Sequence, residues 1–286
     1  MRQSEHAEAF PRHQNMKLYL YANKLSITIL REGKLPLLGL AGLHDPFLIP
    51  ELPVAAPPVR DITQAEFVAE VRRQYDALPE DLSSLVTFEY YVQQAKHKRK
   101  EIEAILLQGA ASEPLFLSPR FLLSLGVLSL FESVESVALW RFQGDRHRGV
   151  ALQIDPGKAG FLEAHYQDCP QTFKKVEYCD ERPQTGAFGF SPLFQRSTEF
   201  SGEGEWRLLR PLDTGQKQIQ WDGEALSLCK FPSNAISAIM FGCAVDPELR
   251  DALTQLLQVD MRYRHLQTFQ MKMSASRFRL SAEPLN

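Results

Sequence analysis

Glu203, Glu205 and Arg207 stand at alternate positions in Glu203-Gly204-Glu205-Trp206-Arg207. On a β-strand all three project from one face, while Trp206 and Leu208 point to the other. Two carboxylates held close together resist simultaneous ionisation, and a neighbouring guanidinium counteracts that resistance. Such a trio suits a tuned general base or a carboxylate that holds a ribose hydroxyl. It equally suits a solvated ion pair worth under about 1 kcal/mol, with Trp206 as a core anchor. A second cluster, Arg141, Arg146, His147 and Arg148, surrounds Gly144. Guanidinium forks at such a turn grip phosphate or pyrophosphate bidentately. The alternative there is a surface turn whose arginines pair with Asp145 and Asp155.

These groups need strands and turns to place them. Lys17–Tyr21 alternates Leu with Tyr and reads as a short strand, followed by a helix over Lys24–Arg31 that Gly33 ends. From Pro36 to Pro58 the chain lacks a sustained period and reads as an ordered loop. Thr63 and Glu66 make a capping box, and Phe67, Val68 and Val71 follow with helical spacing, so a helix runs to about Ala77. Leu85–Gln108 supports a second helix that Gly109 terminates, completing a helical hairpin insertion over about 63–109. Glu132–Phe142 reads as a helix stopped by Gly144. Val150, Leu152 and Ile154 then alternate as a strand closed by Asp155-Pro156-Gly157. Further strands are expected at Val176 and Tyr178, at Glu205–Leu209 and at Ile236–Phe241. Asp246-Pro247 caps a last helix with its stripe at Leu249, Leu253, Leu256 and Leu257. The tail from Leu266 to Leu280 alternates again as edge strands. The expectation is an α+β fold: one domain over 17–286 behind a polar tail at 1–16, with a mixed or antiparallel sheet and flanking helices.

Composition removes several classes. The 286 residues are 44% hydrophobic, enough for a sizeable core, and the formal net charge of −3 offers no global field for a polyanion. The basic run Lys96–Lys100 reads as a solvated helix face, so nucleic acid is not the expected partner. The longest apolar stretch, Phe121–Phe131, is too short for a membrane span, and Met1–Asn15 has no secretory core. A cytoplasmic protein without a membrane partner is expected. Cys169, Cys179, Cys229 and Cys243 have no C-x-x-C spacing, and the histidines lack H-E-x-x-H spacing, so no metal is expected. P-loop, G-x-G-x-x-G and G-x-S-x-G motifs are absent from the sequence.

Four segments, in order, resemble the mainly bacterial family of unknown function DUF2971: Tyr19-x-Tyr21, Asp45-Pro46-Phe47, the block from Leu139-Trp140 to Asp155, and Glu203-Gly-Glu-Trp-Arg207. The third is the most telling, since Leu139-Trp140-Arg141-Phe142 and His147-Arg148-Gly149-Val150 resemble the family's tryptophan helix, basic turn and glycine-led strand. Phe142 stands where the family often has Tyr, and Ser201-Gly202 precedes Glu203 where it has an aromatic-acidic pair. The E-x-E pair also resembles that of arginine-directed ADP-ribosyltransferases, in which the second Glu contacts the nicotinamide ribose. That resemblance implies NAD as substrate, with Glu205 orienting the ribose, assisted by Glu203 and Tyr21. Arg148 would hold the pyrophosphate, with Tyr19, Trp140, Arg141 and Arg207 completing the cleft. The other reading is a non-catalytic regulatory module, in a defence or stress system, that binds a protein partner through its helical hairpin. The first reading requires the acidic strand and the arginine turn to meet in one pocket.

Overall fold

The computed structural model describes residues 16–43, 45, 47, 62–107, 124–166, 169–181 and 191–285. The polar tail at 1–15, Pro46 and the glycine stop at Gly109 lie outside them. Strand β1 (Leu18–Ala22) sits mid-sheet, with Leu18, Leu20 and Ala22 buried on one face and Tyr19 and Tyr21 facing the other. Helix α1 (Leu25–Glu32) follows and ends at Gly33, whose φ of 63° is the left-handed cap that glycine adopts without strain. The chain then forms β2 (Lys34–Gly39), where a loop was expected.

Helix α2 (Gln64–Asp76) begins at the predicted capping box, with Thr63 and Glu66 satisfying each other's backbone N–H groups. After the single turn α3 (Glu80–Ser83), the expected second helix divides into α4 (Phe88–His97) and α5 (Arg99–Leu107). The break falls at Lys98, inside the basic run, and pairs Lys98–Glu101 and Arg99–Glu103 lie along α5. Strand β3 (Leu125–Phe131) comes next. Helix α6 (Val137–Phe142) starts five residues later than expected, because Ser136 accepts the Leu139 N–H and caps it there. Strand β4 is Val150–Ile154.

Short pieces follow: β5 (His165–Tyr166), β6 (Cys169–Pro170), β7 (Thr172–Lys175), β8 (Glu177–Cys179) and β9 (Gln195–Ser197). Then come β10 (Glu205–Pro211) and the hairpin β11 (Lys217–Trp221) to β12 (Glu224–Lys230), turned at Asp222-Gly223. Both turn residues have positive φ, 52° and 84°, the conformation that favours Asp-Gly between paired strands. Strand β13 (Ile236–Phe241), helix α7 (Pro247–Val259), β14 (Gln267–Met273) and β15 (Leu280–Pro284) complete the α+β fold. Among the described residues no helix is long and apolar enough to cross a membrane.

One large sheet runs β11-β12-β2-β3-β1-β4-β13-β14-β15, with β10 on β3 and β7 on β10. Among the described residues the sheet has eleven strands, and only β13–β14 is a parallel neighbour pair in it. The sheet forks at β3. Strand β10 takes one edge of β3 over its whole length, from Glu205 opposite Phe131 to Pro211 opposite Leu125. On the other edge β1 and β2 each take one end, at Tyr19–Phe131 and at Leu38–Val127. Helix α1 joins the two limbs and keeps them apart.

Helices α1 and α7 cover one face, with Ile29, Leu30, Leu249 and Leu253 packed into the largest core cluster. The opposite face carries two clusters. Phe67, Val71, Tyr91 and Ala95 of the helical hairpin pack on Leu125, Val127 and Leu209 at one end. Trp140, Tyr21, Phe131, Met240 and Met271 pack at the other. The cross-strand positions between these clusters are polar: Ser129, Glu205 and Arg207.

Candidate functional site

Strand β10 presents Glu205 and Arg207 to the face shared with Ser129, since Arg207 lies opposite Ser129 across the ladder. Glu205 and Arg207 are each only 2% exposed. Glu205 Oε1 accepts from Ser129 Oγ at 2.6 Å and from Arg207 Nε at 2.8 Å. Its Oε2 accepts from Arg207 Nη2 and from Arg196 Nη1, each at 3.1 Å. Four donors therefore occupy the carboxylate's four lone-pair sites. Arg207 spends Nη1 on the Leu193 carbonyl at 2.6 Å. Arg196, delivered by β9, also donates to Glu203 and lies over the Phe200 ring at 3.8 Å. Tyr178 on β8 accepts the Glu205 backbone N–H at 2.8 Å.

Burial acts to raise the Glu205 carboxyl, but Arg207, Ser129 and Arg196 outweigh it and hold the group below its ordinary range. Glu203 moves the other way. Its burial dominates, the Glu205 charge adds to it, and Arg196 compensates only in part, so Glu203 is raised. The two carboxylates of the E-x-E pair are pushed apart, one fixed as an anion and one brought toward neutrality.

The fork opens a cleft of about 420 Å³ between β1 and β2. Leu20, Pro36, Leu38, Leu128 and Leu226 form apolar walls, and Ser129, Glu205, Arg207 and Arg196 form a polar floor. Asp45, Asp222 and Glu224 line it with Trp221, so four carboxylates face two guanidinium groups across the lining. Asn23 and Gln143 complete its polar margin.

The expected site residues divide accordingly. Glu205, Arg207 and Tyr21 line the cleft, while Glu203 reaches it through Arg196. The Tyr21 hydroxyl donates to the Ser133 carbonyl at 2.8 Å, and burial raises its phenol, so it is a wall and not an available acid. Tyr19 accepts from Gln153 Nε2 at 2.9 Å, away from the lining. Trp140 is wholly buried and donates to the Val134 carbonyl at 2.6 Å, which makes it a core anchor instead of a ligand contact. Arg141 and Arg148 do not line the cleft either. Arg148 pairs with Asp246 at 3.4 Å. The reason is local: Asp145, Arg146 and His147 adopt φ of 48°, 54° and 68°, a left-handed turn that folds the basic residues back over the end of β13. There the His147 carbonyl accepts the Ala244 N–H at 3.1 Å, and the Arg148 carbonyl accepts the Asp246 N–H at 3.0 Å. The expected meeting of acidic strand and arginine turn is replaced by a meeting of acidic strand and Arg196; from the basic turn only Gln143 reaches the cleft.

Ser129, Arg196 and Tyr178 were missed. Ser129 carried a usable signal, a lone hydroxyl in the apolar run Leu125–Phe131; Arg196 carried none. In the hairpin, Tyr91 is buried against Gln74 and Tyr90 is half-buried. No family model, curated protein or solved structure matches this chain.

Proposed function

We propose that the protein transfers ADP-ribose from NAD in the cleft at the fork. The observation that carries this reading is the division of the E-x-E pair into an anchored anion and a raised partner. Neighbouring carboxylates pushed apart in this way serve separate roles as electrostatic stabiliser and proton carrier. When the bond from ribose C1′ to nicotinamide breaks, nicotinamide leaves with the electron pair and positive charge builds on the ribose. A cleft lined by four carboxylates and two guanidinium groups favours that charge. The acceptor nucleophile attacks C1′ and gives its proton, through one intervening water, to Glu203, which stands behind Arg196 at the edge of the cleft and whose raised carboxyl suits the task.

Glu205 itself accepts no further hydrogen bond, so its part is to hold Ser129 and Arg196 in place. The Ser129 Oγ, with its proton committed to Glu205, offers lone pairs to a ribose hydroxyl. Beyond Asn23, Lys24 and Arg148 share the Asp246 carboxylate at the protein surface. A diphosphate leaving the cleft past Asn23 would draw on those two cations.

The test is nicotinamide release from NAD, followed by chromatography. Glu203→Gln is expected to slow release by at least about 100-fold, the usual contribution of a positioned proton carrier. Ser129→Ala should raise the KM for NAD. Absence of both nicotinamide release and an NAD-induced thermal shift in the wild-type protein overturns the reading, as does an undiminished rate in Glu203→Gln.

A further inference from the structure

Two turns come to the same end of the sheet. Phe241 stands opposite Val150 of β4 on one side and opposite Gln270 of β14 on the other. The basic turn lies just before Val150, while β14 runs three residues past Gln270 to Met273, about 10 Å further at the rise of a strand. There the chain turns back into β15, with Met273 opposite Leu280 and the Ser274 N–H donating to the Arg279 carbonyl at 2.9 Å. The β14–β15 turn therefore projects beyond the end of the sheet. About two strand spacings, roughly 10 Å, separate it from the basic turn. Helix α6 ties the two together, since Leu139 and Trp140 share a core cluster with Met271 and Leu280.

Both turns carry exposed apolar side chains between cations. Phe278 is fully exposed, Met273 is 74% and Phe142 76% exposed, and apolar groups gathered in this way mark a surface that something else covers. Arg277 and Arg279 flank Phe278, and Arg141 and Arg146 lie on either side of Phe142. All four arginines are exposed and form no ion pair among the described residues. Asp145 is the only acid within the two turns. Of the acids around them, Asp246 and Glu248 hold Lys24 and Arg148, and Glu283 lies 3.9 Å from Lys272. The basic turn is also rigid: the His147 N–H donates to the Trp140 carbonyl at 2.9 Å and the Gly149 N–H to the Gly144 carbonyl at 3.0 Å, so its arginines project from a fixed backbone.

We infer that this end of the sheet docks on a bilayer whose surface carries anionic lipids. Phe278 and Met273 enter the interface, and the four arginines meet headgroup phosphates, which guanidinium groups grip bidentately. The projection of the β14–β15 turn matches the roughly 5–10 Å to which apolar groups enter the headgroup boundary, and such docking needs no spanning helix. A single-stranded nucleic acid fits less well. It asks for a groove with ring faces on which bases stack, whereas this surface is convex and Met273 has no ring. Ala22 lies opposite Val150, so Asn23 at the cleft margin sits at the same end of the sheet. Docking holds that margin beside the lipid surface, whatever reaction the cleft performs.

The experiment sediments the full-length protein with vesicles of phosphatidylcholine alone and of phosphatidylcholine mixed equally with phosphatidylglycerol. Binding is expected to the mixed vesicles, weakened by added salt, and at least about tenfold less to phosphatidylcholine alone. Phe278→Ser should weaken binding by at least about tenfold, the worth of burying one aromatic ring. Arg277→Gln with Arg279→Gln should weaken it by about fivefold for each cation removed, and Arg141→Gln with Arg146→Gln by a similar factor. All these side chains are exposed, so thermal unfolding of the variants should match the wild type. As a second readout, Phe278→Trp should shift its emission to the blue on mixed vesicles and keep it unchanged on phosphatidylcholine. No sedimentation with mixed vesicles overturns the inference, as does undiminished binding by Phe278→Ser or by the Arg141 and Arg146 variant. Binding of a single-stranded DNA oligonucleotide through Phe278 without vesicle binding also overturns it, in favour of nucleic acid. Vesicle binding in a protein that leaves NAD untouched supports it and removes only the NAD reading.

Discussion

Removing both members of the Glu205–Arg207 pair should cost far less than the sum of the two single removals. Each side chain is 3% exposed, and the pair shares two hydrogen bonds at 2.8 and 3.1 Å. Glu205→Leu leaves Arg207, among the described residues, with only the Leu193 carbonyl as a partner, an uncompensated buried guanidinium that costs about 3–5 kcal/mol. Arg207→Met leaves Glu205 its contacts to Ser129 and Arg196, so its cost falls near the lower end, about 3 kcal/mol. In the double variant both charges are gone. Arg196 still pairs with Glu203, and what remains is chiefly the Ser129 hydroxyl without its acceptor, about 1–3 kcal/mol. The coupling energy should therefore reach at least about 3 kcal/mol, a large value for a contacting pair. Urea unfolding at neutral pH, followed by circular dichroism for all four proteins, measures it. Single variants that each lose under about 1 kcal/mol, with additive losses in the double, would show a solvated surface pair.

Three further outcomes are expected. Because Glu203 is raised, the folded protein binds its proton more readily than the unfolded chain, so this group makes stability fall as pH rises from 4.5 through its folded value; Glu205, lowered, contributes stability above 4.5 that is lost as pH falls through its own depressed value. Glu203→Gln should abolish the first slope and keep the second, as read from urea midpoints across acidic pH. A methyl group on Gly149 would lie 2.4 Å from the Ala22 carbonyl oxygen, so Gly149→Ala should destabilise by about 1–3 kcal/mol in the same assay. Thr63→Ala removes the capping box of α2 and should cost about 1 kcal/mol in thermal unfolding.

The parts of the fold that were legible are those with alternating residue types or a capping signal. Alternation marked β10 and β4, Thr63 with Glu66 marked α2, and Asp246-Pro247 marked α7. Strand β3 was not legible because Leu-Gly-Val-Leu-Ser-Leu-Phe is buried on both faces and has no alternation to read. Strand β2 was hidden by Pro36 and Gly39, which suggest a loop; here proline is tolerated because the N–H it lacks would point into the fork. The hairpin β11–β12 had its signal at Asp222-Gly223, and this went unread. Within the site, Glu205 and Arg207 were visible through their spacing. Arg196 arrives by the parallel pairing of β8 with β9, a long-range event without a local pattern. The arginines near Gly144 had the right chemistry for an anion, and three consecutive left-handed residues turned them elsewhere.

The strands flanking the fork find their partners late in the chain. Leu20 meets Leu152, Leu38 meets Leu226 and Lys34 meets Lys230, so neither limb can close while the ribosome is still making the first half of the protein. Pairings this distant must overcome most of their loop-closure entropy before any ladder forms, and they slow folding accordingly. During synthesis the edge of β2 that β12 will cover remains bare, and the chain depends on shielding from neighbouring nascent chains until residue 230 has emerged.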